Sequence, residues 1–294
     1  MNASSASISI GVGLPAAVPG APAAAVGSWA AEAERLGFRS VGVLDRLVYD
    51  CLDPLVALAA AAERTERVEL LTTVLTVPSR QNAIVLAKQL AGVELLSGGR
   101  LTGGLALGGW PEDYVASGVP TKGRGAVFDA MLATMSRVWA GELAGAGGPI
   151  PALPEGRPRL LFGGFAEASF TRAARLGDGW VAPFFGADAL ADGIAGVHEA
   201  WARARRPDRP RIVVERYFCL GRDAERTADD YLLHYYGPPF VAAARADTLT
   251  SSELIAAEVE RLADAGCDDL LLFPCSGELE QLRRLADALE LSSR

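Results

Sequence analysis

The chain has 294 residues, of which 50% are apolar and 22% charged, and its formal net charge is −8. This composition excludes a disordered chain, a collagen and a coiled coil, and a chain of this length buries enough surface to fold without a disulfide or metal staple. No basic block could neutralise a row of phosphates, and no run of 18 apolar residues is free of Gly, Pro or charge. We therefore expect neither a nucleic-acid partner nor a membrane span.

The N-terminal stretch predicts a strand and not a targeting signal. It has no positive n-region, and Gly11, Gly13 and Pro15 interrupt its apolar residues. The four cysteines lack the CxxC spacing of a zinc site, so we expect no metal. Cys51 is a nucleophile or, more simply, a reduced bystander thiol, and the compartment expected from this cysteine usage is cytoplasmic.

Short apolar runs predict eight strands, with helical patterns between them. In chain order the runs cover residues 8–14, 40–44, 68–76, 101–107, 159–163, 179–182, 211–219 and 269–273. Asn82 is typical of a helix N-cap before the third helical pattern. Eight alternating units predict a (β/α)8 TIM barrel. A doubly wound sheet is the alternative, but the first turn, which contains Gly11 and Gly13, lacks the dinucleotide-binding spacing.

Three helix–glycine–strand junctions support a parallel sheet buried on both faces. They are centred on Gly37, Gly177 and Gly266, and each glycine is predicted to take the left-handed conformation that ends a helix. Residues 141–158 are rich in Gly and Pro and predict a loop. Residues 223–250 predict an insertion after strand seven, at the face where barrels keep their active sites. We expect one domain over residues 1–294.

The residues that follow the predicted strands are mostly apolar or aromatic. Asp45, Arg46 and Glu112 are the exceptions, and strand six leads into Pro183-Phe184-Phe185. This rim contains no Ser/His/Asp set and no carboxylate pair, which suggests a cofactor that brings its own reactivity. The Gly163-Gly164 turn before a helix is either an ordinary tight turn or a phosphate-binding turn.

Several longer motifs resemble the bacterial luciferase-like monooxygenases and their coenzyme F420-dependent relatives. The motifs are EAERLGFRSVGVLDR (32–46), VELLTTVLTVPSR (68–80), LAKQLAGVELLSGGRLTGGLALGGW (86–110), LLFGGFAEASFTRAARLGDGW (160–180) and IAAEVERLADAGCDDLLLF (255–273). The resemblance implies a single luciferase-like barrel that binds FMN or F420 at its carboxyl-terminal mouth, with the ring over strand three.

The resemblance also implies individual cofactor contacts. A non-proline cis peptide forms a bulge against the ring in F420-binding members, and the matching bond here is Thr73–Val74. The turn Gly163-Gly164-Phe165 resembles the phosphate grip of the family. Trp110 and Glu112 match positions near the ring and its ribityl chain.

Some positions depart from the family pattern. Many members carry Asp-His after strand two, where this chain has Asp45-Arg46, the pair we predict to be catalytic. Arginine stays protonated and cannot shuttle a proton. Arg46 therefore binds an anion, such as a cofactor phosphate, a reduced flavin N1 or a peroxide, or it forms a salt bridge with Asp45 or a neighbour. Ala106 replaces a glycine, and Phe165 and Ala166 stand where Ser or Thr is usual.

Without that hydroxyl, a phosphate would rely on backbone donors, with Arg172 as a helper. His234, Tyr235 and Tyr236 in the insertion are packing residues or substrate contacts. The first functional hypothesis is an FMN-dependent monooxygenase acting on a small organic substrate. The alternatives are an F420-dependent reductase or dehydrogenase and a cofactor-free partner subunit. The resemblance further implies a homodimer and a separate flavin or F420 reductase.

Overall fold

The computed structural model describes residues 8–183 and 186–291, so the predicted rim residues Phe184 and Phe185 lie outside it. Within the described residues eight parallel strands close a barrel in sequence order, which confirms the TIM barrel and excludes the doubly wound sheet. The strands are Ser9–Gly13 (β1), Ser40–Val43 (β2), Glu69–Thr76 (β3), Leu101–Ala106 (β4), Arg159–Gly163 (β5), Gly179–Ala182 (β6), Arg211–Phe218 (β7) and Asp269–Pro274 (β8).

Helices follow every strand and cover the outside of the barrel. They are Ala25–Arg35 (α1), Pro54–Arg64 (α2), Ala83–Leu96 (α3), Pro111–Ser117 (α4), Arg124–Trp139 (α5), Glu167–Leu176 (α6), Ala187–Arg203 (α7), Ala224–Tyr236 (α8), Val241–Ala246 (α9), Ser252–Asp264 (α10) and Glu280–Ala288 (α11). The predicted insertion is confirmed as α8 and α9, separated at Gly237-Pro238-Pro239. The predicted loop at 141–158 contains no helix or strand longer than an isolated bridge. Among the described residues, every helix is too short or too polar to cross a membrane.

Local chemistry starts the third helix where the sequence predicts it. The Asn82 side chain accepts hydrogen bonds from the backbone N–H groups of Ile84 and Val85, each at 3.1 Å. These N–H groups have no partner within the helix, so the side chain compensates for two of them. Asn82 is therefore confirmed as the N-cap of α3.

The three glycine junctions form for two different reasons. Gly37 and Gly266 have φ of 93° and 80°, which confirms the left-handed prediction. The prediction is wrong for Gly177, whose φ is −116°. A Cβ there would lie 2.8 Å from the Phe162 ring and 2.9 Å from the Leu160 carbonyl oxygen. Glycine is needed at this junction because β5 passes too close for any side chain.

We expect Gly177→Ala to lower the free energy of unfolding by about 1–3 kcal/mol, because the neighbouring strand must shift to admit a methyl group. Gly92→Ala is the matched control, since a Cβ at Gly92 in α3 meets nothing within 4 Å. That substitution should stabilise the protein by up to about 1 kcal/mol. Urea denaturation of both variants measures the difference, and an equal effect of the two substitutions would contradict the packing explanation.

The two ends of the barrel differ in chemistry. The ion cluster at the amino ends of the strands consists of Glu69, Arg211 and Asp269, in which Arg211 bonds both carboxylates at 2.7–2.9 Å. Above it, an apolar plug fills the interior, formed by Leu71, Leu161, Val181 and Val213. Aromatic side chains occupy the opposite, carboxyl-terminal mouth. Only the mouth therefore offers a surface that suits an aromatic ligand.

Candidate cofactor site at the barrel mouth

The bulge in β3 forms one side of the mouth. The register between β3 and β4 shifts between Thr72 and Leu75, and the Thr73–Val74 peptide bond is cis. This confirms the position implied by the family resemblance. Thr73 is buried and Val74 is half-buried. A Cβ at Gly163 would lie 3.2 Å from Val74 Cγ1, so the glycine lets the bulge and β5 approach each other.

Arg46 is the buried charge of the mouth. Its side chain is 4% exposed, and Nη2 donates to Glu112 Oε1 at 2.6 Å. The guanidinium carbon lies 3.6 Å from the centroid of the Trp110 ring, and Nη1 donates to the Tyr235 carbonyl oxygen at 3.3 Å. Its Nε lies 3.7 Å from Asp113 Oδ2. The salt bridge anticipated for Arg46 thus forms, with neighbours other than Asp45.

Asp45 points to the turn after β3. One of its oxygens accepts from Arg80 at 2.9 Å, and the other accepts from the Thr76 backbone N–H at 2.9 Å and from its hydroxyl at 3.1 Å. These bonds hold the 3-10 turn Val77–Arg80 against β2. The side chains of Asp45 and Arg46 therefore point in different directions, and of the two it is Arg46 that faces the mouth.

An aromatic wall closes the side of the mouth near α8. We give this name to Tyr49, Trp110, Tyr217, Tyr235 and Tyr236, whose rings make contacts at centroid distances of 4.9–6.4 Å. The Tyr236 and Tyr217 hydroxyls are 3.1 Å apart. Burial raises the pKa of both phenols above the usual value, so they stay neutral. The wall is apolar with a few neutral donors.

The predicted substrate residues separate in the structure. Tyr235 is buried behind Trp110, and Tyr236 is half-buried in the aromatic wall. His234 is exposed, and its Nδ1 lies 2.6 Å from the hydroxyl of Tyr49, at the exposed edge of the aromatic wall. Helical geometry explains this result, because consecutive residues on a helix cannot all face one side.

The Gly163-Gly164-Phe165 turn leads from β5 into α6. Gly164 has a φ of 111°, and its carbonyl oxygen accepts from Trp180 Nε1 at 3.0 Å. Ala166 at the start of α6 supplies no side-chain cap, so no side chain competes for the first-turn N–H groups. Arg172, the predicted helper, is instead bonded to Asp129 of α5 at 2.6 Å. Backbone donors alone therefore remain for a phosphate at this turn.

Cys51 lies beside the mouth but is a poor nucleophile. Its Sγ contacts the Arg46 carbonyl oxygen at 3.5 Å, and burial raises the pKa of the thiol. The thiol therefore stays protonated near neutral pH, where the thiolate would be the reactive form. No group of metal-ligating side chains occurs in the part of the chain that the structure describes.

Unpartnered polar atoms concentrate at the mouth. Within residues 8–183 and 186–291, five buried side-chain nitrogen or oxygen atoms lack a hydrogen-bond partner, and four of them lie here. These four are Arg46 Nε, Thr73 Oγ1, Asp113 Oδ2 and Glu215 Oε1. Buried polar atoms are normally paired, and each exception calls for an explanation such as a missing ligand.

The sequence matches the family described as luciferase-like monooxygenase over residues 5–290. The chain belongs to the luciferase-like monooxygenase family. An uncharacterized protein of Mycobacterium tuberculosis is 32% identical over 173 residues. That match covers 55% of this chain and 60% of the relative's length.

Two solved structures share the luciferase-like fold at low sequence identity. The FMN-bound oxygenating constituent of 3,6-diketocamphane monooxygenase from Pseudomonas putida has a TM-score of 0.76 and 18% identity, covering 98% of this chain and 97% of that chain. An F420-dependent secondary alcohol dehydrogenase, in complex with an F420-acetone adduct, has a TM-score of 0.75 and 16% identity, covering 97% and 98%. The fold therefore accommodates both cofactors.

The luciferase-like mouth of this chain fits a flavin-type ring. Val74 and Trp110 offer half-buried apolar surfaces, the ion-paired Arg46 offers N–H donors, and Thr73 and Glu215 hold oxygens without a hydrogen-bond partner of normal geometry. A planar flavin-type ring needs this combination of apolar contact and a few polar groups.

Sequence reasoning missed three residues of this region. Arg80 binds Asp45, and Arg124 donates to the Gly108 carbonyl oxygen at 3.3 Å. Glu215 is the third, and a signal for it exists, since it is an acidic residue inside an otherwise apolar strand pattern at 211–219. The ion pair of Arg80 and the backbone contact of Arg124 have no such local signal.

Proposed function

We propose that this protein is an FMN-dependent luciferase-like monooxygenase that acts on a small organic substrate. The observation that carries the proposal is the half-buried Trp110 ring at the mouth, on which the buried guanidinium of Arg46 stacks. Arg46 is ion-paired with Glu112 and Asp113, so its charge is balanced and the surface offered to a ligand is mainly aromatic. Such a surface suits a planar ring such as that of FMN. The similarity to an FMN-bound monooxygenase supports this choice.

Each part of the mouth would have a role when FMN is bound. FMN would supply the chemistry that activates oxygen. Arg46, held in place by Glu112 and Asp113, would donate a charge-assisted hydrogen bond to the reduced ring. The Gly163-Gly164 turn would bind the phosphate through backbone N–H groups. The aromatic wall would exclude water from the reacting centre. Tyr236, which is half-buried in the aromatic wall, would contact the substrate.

An F420-dependent reductase is the second candidate. The similarity to an F420-dependent dehydrogenase supports it. Arg46 favours reduction over alcohol oxidation in this case, since an arginine at this position cannot accept the proton of an alcohol.

Parallel fluorescence titration of the purified protein with FMN and F420 tests the proposal. We expect binding of FMN, in its oxidised or chemically reduced form, and oxygen consumption by the reduced complex. Binding of F420 alone would contradict the monooxygenase proposal and support an F420-dependent enzyme that transfers hydride. Binding of neither cofactor would contradict both and favour a cofactor-free partner subunit.

A further inference from the structure

Glu215 occupies the interior of the barrel just below the mouth. Side chains alternate along β7, so Val213, Glu215 and Tyr217 point inward while Arg216 points outward. Val213 belongs to the apolar plug, and Tyr217 belongs to the aromatic wall. Glu215 therefore lies in the layer between the plug and the wall, with 4% of its surface exposed.

The layer that contains Glu215 has few side chains. In barrels, the side chains of one layer come from alternate strands. The plug residues Leu71, Leu161 and Val213 lie on β3, β5 and β7. Two positions further along these strands stand Thr73, Gly163 and Glu215, which belong to the next layer. Thr73 is 3% exposed. Its Oγ1 and the Oε1 of Glu215 have no hydrogen-bond partner of normal geometry among the described residues, although the Thr73 hydroxyl lies near enough to the carboxyl to lower its pKa. The two side chains thus share the layer beside the Thr73–Val74 bulge and leave hydrogen-bonding capacity for a ligand.

Among the residues that the structure describes, none forms a salt bridge with Glu215. Arg216, its neighbour in sequence, directs Nε to Glu258 of α10 at 2.8 Å, outside the barrel. Burial raises the pKa of Glu215 to about 8, and the Thr73 hydroxyl and the Arg216 charge oppose this only in part. The carboxyl is therefore neutral at pH 7 and carries a proton that it can donate in a hydrogen bond.

We propose that Glu215 is a neutral hydrogen-bond donor to the cofactor ring bound at the mouth, and that it favours the reduced, electron-rich form of that ring. This inference rests on the proposed function, because it needs a flavin-type ligand. A neutral donor stabilises added negative charge on the ring, whereas a carboxylate at the same place would repel it. Affinity for the reduced cofactor should therefore fall as Glu215 ionises.

The other groups near Glu215 do not titrate in the same pH range. Tyr235 and Tyr236 of α8 interact with its charge, and burial raises the pKa of both phenols far above neutral pH. The nearby guanidinium groups of Arg46 and Arg216 are bonded to Glu112 and Glu258. A change in affinity between pH 7.5 and 9.5 would thus report on Glu215.

The experiment compares dissociation constants for anaerobically reduced and oxidised FMN between pH 7.5 and 9.5, with reduced and oxidised F420 measured in parallel. For the wild type we expect roughly tenfold weaker binding of the reduced cofactor at the alkaline end, because ionisation of Glu215 above a pKa of about 8 disfavours the complex.

Glu215→Gln keeps a neutral donor and should remove this pH dependence. Glu215→Leu should weaken reduced-cofactor binding by roughly ten- to a hundredfold, with little effect on the oxidised form. Glu258→Gln, outside the barrel, is the matched control and should behave as the wild type.

A second measurement uses the protein alone. Infrared spectroscopy at pH 7 should detect the C=O stretch of a protonated carboxyl that Glu215→Gln lacks and that disappears at alkaline pH. Absence of this band would overturn the proposal, as would wild-type pH dependence in Glu215→Gln or wild-type affinity in Glu215→Leu. These results would leave the proposed function intact, whereas failure of the wild type to bind either cofactor would overturn both.

Discussion

Arg46→Ala should weaken the binding of reduced FMN by roughly ten- to a hundredfold and lower turnover by a similar factor, because a charge-assisted hydrogen bond in a buried site contributes about 1.5–3 kcal/mol. The guanidinium is already ordered by Glu112, Trp110 and the Tyr235 carbonyl oxygen. Little conformational entropy is therefore lost when a ligand binds. Fluorescence titration under anaerobic conditions and steady-state oxygen uptake measure the two effects.

Two further variants separate charge from shape at this position. Arg46→Lys keeps the charge but loses the planar group that stacks on Trp110, so an intermediate affinity is expected. Glu112→Gln removes the charge of a half-exposed partner and should leave the fold intact. Because Arg46→Ala also leaves Asp113 buried beside an empty space, thermal unfolding must accompany the titration. Unchanged affinity and turnover in a folded Arg46→Ala protein would refute the anion-binding role of Arg46.

Arg211→Met should lower the free energy of unfolding by about 3–5 kcal/mol at pH 7, the range typical of removing one partner from a buried ion pair. Arg211 bonds Glu69 with both Nη atoms at 2.7 Å and bonds Asp269 through Nε at 2.7 Å. Its side chain is 25% exposed, and those of Glu69 and Asp269 are 18% and 9% exposed. Methionine would leave two carboxylates close together, with the half-exposed Arg159, 3.6 Å from Glu69 Oε1, as the remaining counter-charge near Glu69.

The same ion cluster predicts a pH dependence. Burial opposes ionisation of Glu69, but the hydrogen bonds and the charge of Arg211 outweigh it and lower the pKa of the carboxyl. A lowered pKa stabilises the folded state above the unfolded pKa of about 4.3, and this contribution is lost as the pH falls through the folded pKa. The difference between wild type and Arg211→Met should therefore shrink below about pH 4. Urea denaturation at several pH values measures it.

Arg209→Met is the matched control for the ion cluster. Arg209 bonds Asp268 one residue away from the cluster, but its side chain is 66% exposed. Exposed pairs contribute less than about 1 kcal/mol, so this variant should remain close to the wild type. Equal losses of unfolding free energy in Arg209→Met and Arg211→Met would indicate that the overall charge of the protein, and not the burial of the ion pair, determines the loss.

The prediction of the fold from sequence depended on local patterns. All eight strands begin and end within one residue of the predicted bounds, because each apolar run is bounded by turn residues. Asn82 caps its helix through neighbouring N–H groups, which lie within three residues. The prediction of a left-handed conformation for Gly177 is wrong because glycine is needed there for the close approach of β5. No local sequence pattern indicates that approach.

The sequence by itself determined the barrel, its order and the residues at its mouth, because strand periodicity is local and parallel strands bring all their carboxyl ends to one face. Only the tertiary structure decided which charges meet there. Arg46 bonds Glu112, 66 residues away, and the carbonyl oxygen of Tyr235, 189 residues away, while Asp45 turns to Arg80. Barrel closure and the packing of α8 create these contacts. The same closure removes Glu215 from water, and this burial keeps its carboxyl neutral.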